Sequence, residues 1–267
     1  MRKIVLLLSA VALAGIVTTA CAQQGRGGRP APETPAPAAV SEIPDEAPPV
    51  FVPNLPRELT FAGERVPLEY AEVREALERE MTVTMFMQSR TLRTLRMTTR
   101  YFPVIAPIMK KYGIPEDFKY LCMAESGLDP NTVSPAGASG LWQLMKSAAR
   151  DYGIETGDNV DLRFHVERST EAACQYLRDA YKRYGNWTMA AASYNAGLAG
   201  VSKRIGIQGV KSYYDLFLPE ETMRYVYRIL SCKLLVENPE RYGFHLRRRD
   251  YLPAFENYRT VTVNAQN

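Results

Sequence analysis

Histidine is scarce, with two in 267 residues, and neither His165 nor His245 stands in a pattern that suggests catalysis or metal binding. Both read as structural. Cysteine is scarce too, with four in the chain. Cys122, Cys174 and Cys232 each fall within an apolar helical pattern, and their spacing matches no metal site, so they read as small buried core residues. A disulfide between two of them stays open in an oxidising compartment. Charge of one sign does not dominate: 33 basic residues face 29 acidic ones. Removing Arg2 and Lys3 with the leader leaves 31 against 29, a balance of +2, too small to imply a nucleic-acid partner. Long hydrophobic runs are missing as well. The run Ile4 to Val17 is shorter than the roughly 20 apolar residues that span a bilayer. It follows Arg2 and Lys3 and gives way to small residues through Ala22, the pattern of an export signal over residues 1–21. The mature chain is therefore expected outside the cytoplasm.

Two readings of the leader's end stay open. Thr18-Thr19-Ala20-Cys21 fits a lipoprotein signal with Cys21 acylated after cleavage, although Thr stands three residues before the Cys where Leu is usual. Ala20-Cys21-Ala22 fits a small-x-small site that releases a soluble protein. From residue 22 to about 50 the composition is Gly, Ala, Pro and Glu. Such a stretch buries too little apolar surface to offset its ordering entropy, so it is read as a tether or a plain disordered leader.

From Leu68 onward the pattern is helical, with Gly, Pro and Asn at the breaks and no convincing strand. Residues 70–97 and 98–112 read as helices, the second ending at Gly113. Pro115 opens a short helix ending near Glu125 with Gly127 just beyond. Further helices are expected at about 139–152, 169–184, 187–198 and 219–236. The class is all-α, with a helical extension over 51–97, a main helical domain over 98–240 and a tail over 241–267 whose Arg247–Arg249 cluster reads as a solvated face.

The short helix from Pro115 is the most informative element. Phe118, Leu121 and Cys122 form an apolar stripe, and the next position of that stripe is Glu125. The glutamate also lies at the carboxyl end of the helix, where the backbone dipole is negative. Burial and dipole both disfavour its ionised form, which suits a general acid near neutral pH. A helix-end glutamate turned to solvent is the ordinary alternative.

The run Glu125-Ser126-Gly127-Leu128-Asp129-Pro130, followed by Ser134-Pro135-Ala136-Gly137-Ala138-Ser139-Gly140-Leu141-Trp142-Gln143-Leu144-Met145, resembles the signature of lytic transglycosylases with the soluble-lytic-transglycosylase domain, relatives of goose-type lysozyme. Ala192-Ser193-Tyr194-Asn195-Ala196-Gly197 and Leu218-Pro219-Glu220-Glu221-Thr222-Met223-Arg224-Tyr225-Val226 continue the resemblance in order. It covers about residues 98–240 and looks most like the membrane-bound type D branch. Departures are modest: Val133 where a small residue is common, Ser193 where Ala is common, and no recognisable wall-binding repeat after residue 240.

The resemblance implies a lysozyme-like α domain with a groove for alternating N-acetylmuramic acid and N-acetylglucosamine. It makes Glu125 the catalytic acid and Ser126 a polar neighbour of the reacting sugar. Gln143, Tyr194 and Asn195 would line the groove, with Tyr225 projecting toward the acid. Each keeps a structural alternative: a bond to loop backbone for Gln143, and core packing for Tyr194 and Tyr225. Trp142 and Trp187 read as core, and Asp129, Asp151, Asp158 and Asp161 as helix or turn caps.

Ordinary glycosidases flank the scissile bond with two carboxylates, and no convincing second one stands out. The implied reaction therefore uses one acid and the substrate's own groups, and requires no metal or cofactor. It yields 1,6-anhydro-N-acetylmuramic acid ends on peptidoglycan, in the periplasm, with attachment to the outer membrane if Cys21 is acylated. A lysozyme-type hydrolase on the same fold and a non-catalytic wall-binding module are the alternatives. A chain beginning near Phe51 is expected to cleave soluble glycan fragments as fast as the full mature chain. A large loss of rate on such fragments would show that the tether shapes the groove.

Overall fold

The computed structural model describes residues 51–255; the leader, Cys21, the tether and the last twelve residues lie outside the described residues. The described part opens with an extended segment and an antiparallel hairpin of β1 (Thr60–Phe61) and β2 (Glu64–Arg65). Positive φ at both Ala62 and Gly63 makes the tight two-residue turn whose twist matches its flanking strands. The 51–97 stretch, read as a helical extension, thus begins with a hairpin ahead of its first helix.

Small as it is, the hairpin ties two later helices together. Phe61 is fully buried and packs its ring 5.2 Å from that of Phe118. The Ala62 N–H donates to Asp117 Oδ2 at 2.8 Å. The Glu64 carboxylate accepts from the N–H groups of Trp187 and Thr188, the latter at 2.9 Å. A carboxylate there satisfies orphan donors at a helix start and suits its dipole.

Eight helices follow among the described residues: α1 (Ala71–Phe86), α2 (Gln88–Tyr112), α3 (Phe118–Ser126), α4 (Lys146–Asp151), α5 (Val166–Tyr184), α6 (Trp187–Ala196), α7 (Leu198–Gln208) and α8 (Glu220–Glu237). The all-α expectation holds, with several boundaries moved. The first break falls at Met87 and not at residue 97, after the β-branched run Thr82-Val83-Thr84, which has low helix propensity. There the Thr91 hydroxyl takes the Thr84 carbonyl. From that point α2 continues through Pro103 and Pro107. It ends as expected at Gly113, whose φ of 71° lets the Ile114 N–H reach back to the Met109 carbonyl at 3.0 Å. Pro115 opens only a turn, and regular α3 starts at Phe118.

The expected helix at 139–152 is mostly loop, reduced to α4. Arg163, 3% exposed, donates from one guanidinium nitrogen to the carbonyls of Gly137 and Leu144 at 2.8 and 3.0 Å. Asp161 holds the rest of that guanidinium at 2.6 Å and caps the following 3-10 turn. This long-range anchor outweighs local helix propensity. The α7 helix was not expected, because Gly200 and Gly206 weaken its pattern; Gly197 separates it from α6.

The apolar stripe of α8, including Val226, Ile229, Leu230 and Leu235, is fully buried. It packs against α1, α3 and α6, while α5 packs against α2 and α6. Cys122, Cys174 and Cys232 are buried free thiols, as their apolar setting suggested. The segment after Tyr242, expected without pattern, lies along α2, with the Leu252 N–H donating to the Arg96 carbonyl at 3.0 Å. Among the described residues no helix is long and apolar enough to cross a membrane.

A side chain at Gly140 would place its Cβ 1.9 Å from the Arg163 carbonyl oxygen, on backbone with φ of 80°. What comes close to Gly140 is therefore this chain's own backbone. Gly140→Ala is expected to lower unfolding stability by at least about 2 kcal/mol through left-handed strain and overpacking. Thermal or urea unfolding reads it, and an unchanged midpoint would refute the tight approach.

Candidate active site

The stripe that points to Glu125 is real. Phe118, Leu121 and Cys122 are fully buried, and Glu125 follows in the last turn of α3, half-buried. Burial is the main reason its carboxyl is pushed up to about 7; the Tyr225 hydrogen bond and the Arg228 charge oppose the rise, and Glu221 adds to it. The group is therefore poised to hold or release a proton near neutral pH.

Tyr225 comes from the middle of α8 and donates its hydroxyl to Glu125 Oε1. Its ring is 2% exposed, so core packing and contact with the acid both describe it. Its own hydroxyl is held well above the usual phenol range by burial and by the neighbouring Glu125 charge. It therefore stays a donor.

Tyr194, near the end of α6, feels the same Glu125 charge. Its hydroxyl donates to the Trp142 carbonyl at 2.9 Å, pinning the loop that carries Gln143. Trp142 is itself buried and donates from its ring to Thr170 at 2.8 Å. Gln143 adopts φ of 49°, uncommon for a residue other than glycine. Its amide nitrogen donates to the carbonyls of Thr132 and Gly140 at 2.9 and 2.8 Å. The donor end is thus committed to the loop, the structural alternative, and an acceptor oxygen remains for a ligand.

Asn195 is exposed and accepts from the Thr222 hydroxyl at 2.7 Å, one helical turn before Tyr225. Ser126 departs from the others. It is 7% exposed, and its hydroxyl turns back to the Cys122 carbonyl at 3.4 Å. Glu125, Tyr225 and Tyr194 therefore form one cluster. Gln143 and Asn195 are joined to it through Trp142 and Thr222, while the Ser126 hydroxyl is bonded back to the Cys122 carbonyl of its own helix.

Four ionic residues lie behind this cluster: Glu80 and Arg228, which sequence reasoning passed over, and Glu221 and Arg224, which it quoted within a motif without a role. Glu80 on α1 is 1% exposed and bonds Arg224 at 2.6 Å. Arg228 lies 3.8 Å from Glu80 and 2.9 Å from Glu221. A signal was available for Glu80, since it falls seven residues after Val73 and three after Leu77, on the buried stripe of α1.

Residues 103–217 match the Transglycosylase SLT domain family, and this segment holds Glu125, Gln143, Tyr194 and Asn195. The membrane-bound lytic murein transglycosylase D of Escherichia coli K12 is 31% identical over 198 residues, covering 71% of this chain and 43% of the relative. The chain belongs to the SLT-domain lytic transglycosylases. It spans less than half the length of that relative. A putative tributyltin chloride resistance protein of Alteromonas sp. strain M-1 is 30% identical over 61% of this chain and 76% of its own length. Among solved structures, the 70 kDa soluble lytic transglycosylase of Escherichia coli superposes with a TM-score of 0.42 at 21% identity, over 55% of this chain and 26% of that one, too loosely to bear on the site. In this member of the SLT-domain transglycosylases, Tyr225, Arg228 and Glu80 lie outside the matched segment.

The Tyr225 bond favours ionised Glu125, so its loss disfavours that form. Tyr225→Phe is expected to move the Glu125 titration midpoint upward, above about 7. Carboxyl NMR with Glu125→Gln as the assignment control reads the shift, and a midpoint that stays or falls would contradict the assigned contact.

Proposed function

We propose that this chain is a peptidoglycan lytic transglycosylase with Glu125 as its single catalytic acid and base. The supporting observation is Glu125 itself, a half-buried carboxyl pushed up to about 7 inside the segment shared with the SLT domain. In this reading the protonated Glu125 gives its proton to the glycosidic oxygen between N-acetylmuramic acid and N-acetylglucosamine, and the C1–O bond breaks. The sugar's 2-acetamido group stabilises the positive charge at C1. Ionised Glu125 then takes the proton of the C6 hydroxyl, whose oxygen bonds C1 and closes the 1,6-anhydro ring. The proton lost in the first step is recovered in the second, and no water is consumed.

The other residues take supporting roles. Tyr225 occupies Oε1 and leaves Oε2 to face the sugar. Gln143 and Asn195 offer hydrogen-bonding groups to hydroxyl and N-acetyl groups, and Tyr194 keeps the Gln143 loop in place. Ser126 has the weakest geometric support as a substrate contact. Intramolecular attack is efficient because the C6 hydroxyl is already tethered to the reacting carbon, with effective molarities that reach about 10⁵ M or more in well-oriented systems. A peptidoglycan substrate fits a periplasmic enzyme, held at the membrane if Cys21 is acylated and released from it if the leader is cut after Ala22.

One observation favours a second reading. Glu221 acts electrostatically on Glu125, and its own carboxyl is held below the usual range by Arg228. An ionised second carboxylate is what a hydrolase needs to activate water.

Product analysis separates the two. Digested sacculi are expected to yield anhydro-muramic ends, lighter by one water and resistant to borohydride reduction, with Glu221→Gln retaining them. The rate is expected to fall as pH rises past about 7, and Glu125→Gln to bring it to background. Predominantly reducing ends, lost in Glu221→Gln, would establish hydrolysis instead.

A further inference from the structure

The most heavily buried carboxylate in the description above is not the acid. Glu80 is 1% exposed, and an ionised group so placed is costly unless its partners are fixed. It is surrounded by guanidinium groups: Arg79 at 3.6 Å from its own helix, and Arg224 at 2.6 Å and Arg228 at 3.8 Å from α8. These two arginines flank Tyr225 on α8. Glu80 and Arg228 also line a cavity of about 80 Å³ together with Met123, Ala124 and Gly127 of the acid's own segment and Arg90 of α2. The ion cluster therefore stands against the back of the turn that presents Glu125.

We propose that Glu80 is a positioning residue for Glu125: by pairing with Arg224 and Arg228 it fixes the Arg228 guanidinium behind the acid and offsets that guanidinium's charge. The inference rests on the reading of Glu125 as the reacting acid. It makes α1, which lies outside the segment shared with the SLT domain, part of the catalytic unit.

The charges around the acid fix the sign. Tyr225 from α8 touches Glu125, and the other groups electrostatically coupled to it are Arg228 and Glu221 from α8, Tyr194 from α6 and Cys122 from its own helix. Tyr194, Tyr225 and Cys122 are held protonated by burial, which leaves Arg228 and Glu221 as the charges felt there. Glu80 is the buried counterweight to Arg228. Taking away its negative charge leaves Arg228 less offset, and a positive charge near a carboxyl favours its ionised form.

The test is the Glu125 carboxyl midpoint, followed by NMR in the full mature chain. Glu80→Gln is expected to lower it by roughly half a pH unit or more, while Glu80→Asp, which keeps the charge, stays near the parent value. Arg228→Gln is expected to raise it, and serves if Glu80→Gln does not fold. The alkaline limb of glycan cleavage should move with the midpoint in each variant. A merely structural role would lower stability and rate at every pH and leave the midpoint in place. An unmoved midpoint in Glu80→Gln, or in Arg228→Gln, overturns the proposal. Because the midpoint is read without turnover, a chain that cleaved no glycan but showed these shifts would refute the proposed function and leave the role of Glu80 standing.

Discussion

A carboxyl group is kept half out of water at the end of one helix by another helix laid across it. That contact, between α3 and α8, brings Tyr225 onto Glu125. Its physics is a balance. Desolvation pushes the carboxyl toward its neutral form, while a phenolic donor and a nearby guanidinium pull it back. Desolvation alone would leave an acid reluctant to release its proton, and hydrogen bonds alone would leave one reluctant to hold it. The two together put the group near neutrality, where one side chain can serve first as acid and then as base.

Much of the remaining structure keeps that balance in place. The hairpin grips the start of α3 through Phe61 and Asp117 and the start of α6 through Glu64, so the helices bearing Glu125 and Tyr194 share a brace. On the other side a buried guanidinium, Arg163, binds the loop carbonyls of Gly137 and Leu144, which otherwise accept from Ser139. Buried backbone groups need partners, and this one side chain supplies two. It lets the Trp142-Gln143 step stay in irregular backbone close to the acid.

Local pattern made several parts of this legible. The stripe Phe118, Leu121, Cys122, Glu125 is a matter of helical spacing, and the glycines at 113 and 127 are positions where the backbone turns left-handed. The same reasoning misread residues 139–145, because the pull that unwinds them comes from Arg163, some twenty residues on. It also passed over Glu80. A glutamate among many charged neighbours on α1 looks solvated unless its place on the Val73–Leu77–Met81 face is weighed.

Helical periodicity along the chain carried the all-α class and put Glu125 on an apolar stripe, because both depend only on residue type and a spacing of three or four. The preference for Glu125 as candidate acid over a glutamate turned to solvent came from the resemblance of its motif. The resemblance implied that Tyr225 projects toward that acid, but only the tertiary structure shows the bond it makes there and the ion pairs behind it. Tyr225 reaches Glu125 across 100 residues, and Arg224 reaches Glu80 across 144. Such pairings leave no periodic trace, because they depend on how helices cross and not on how any one of them is patterned. The proton affinity of Glu125 follows first from its burial and then from Tyr225, Arg228 and Glu221, and so it belongs to the fold.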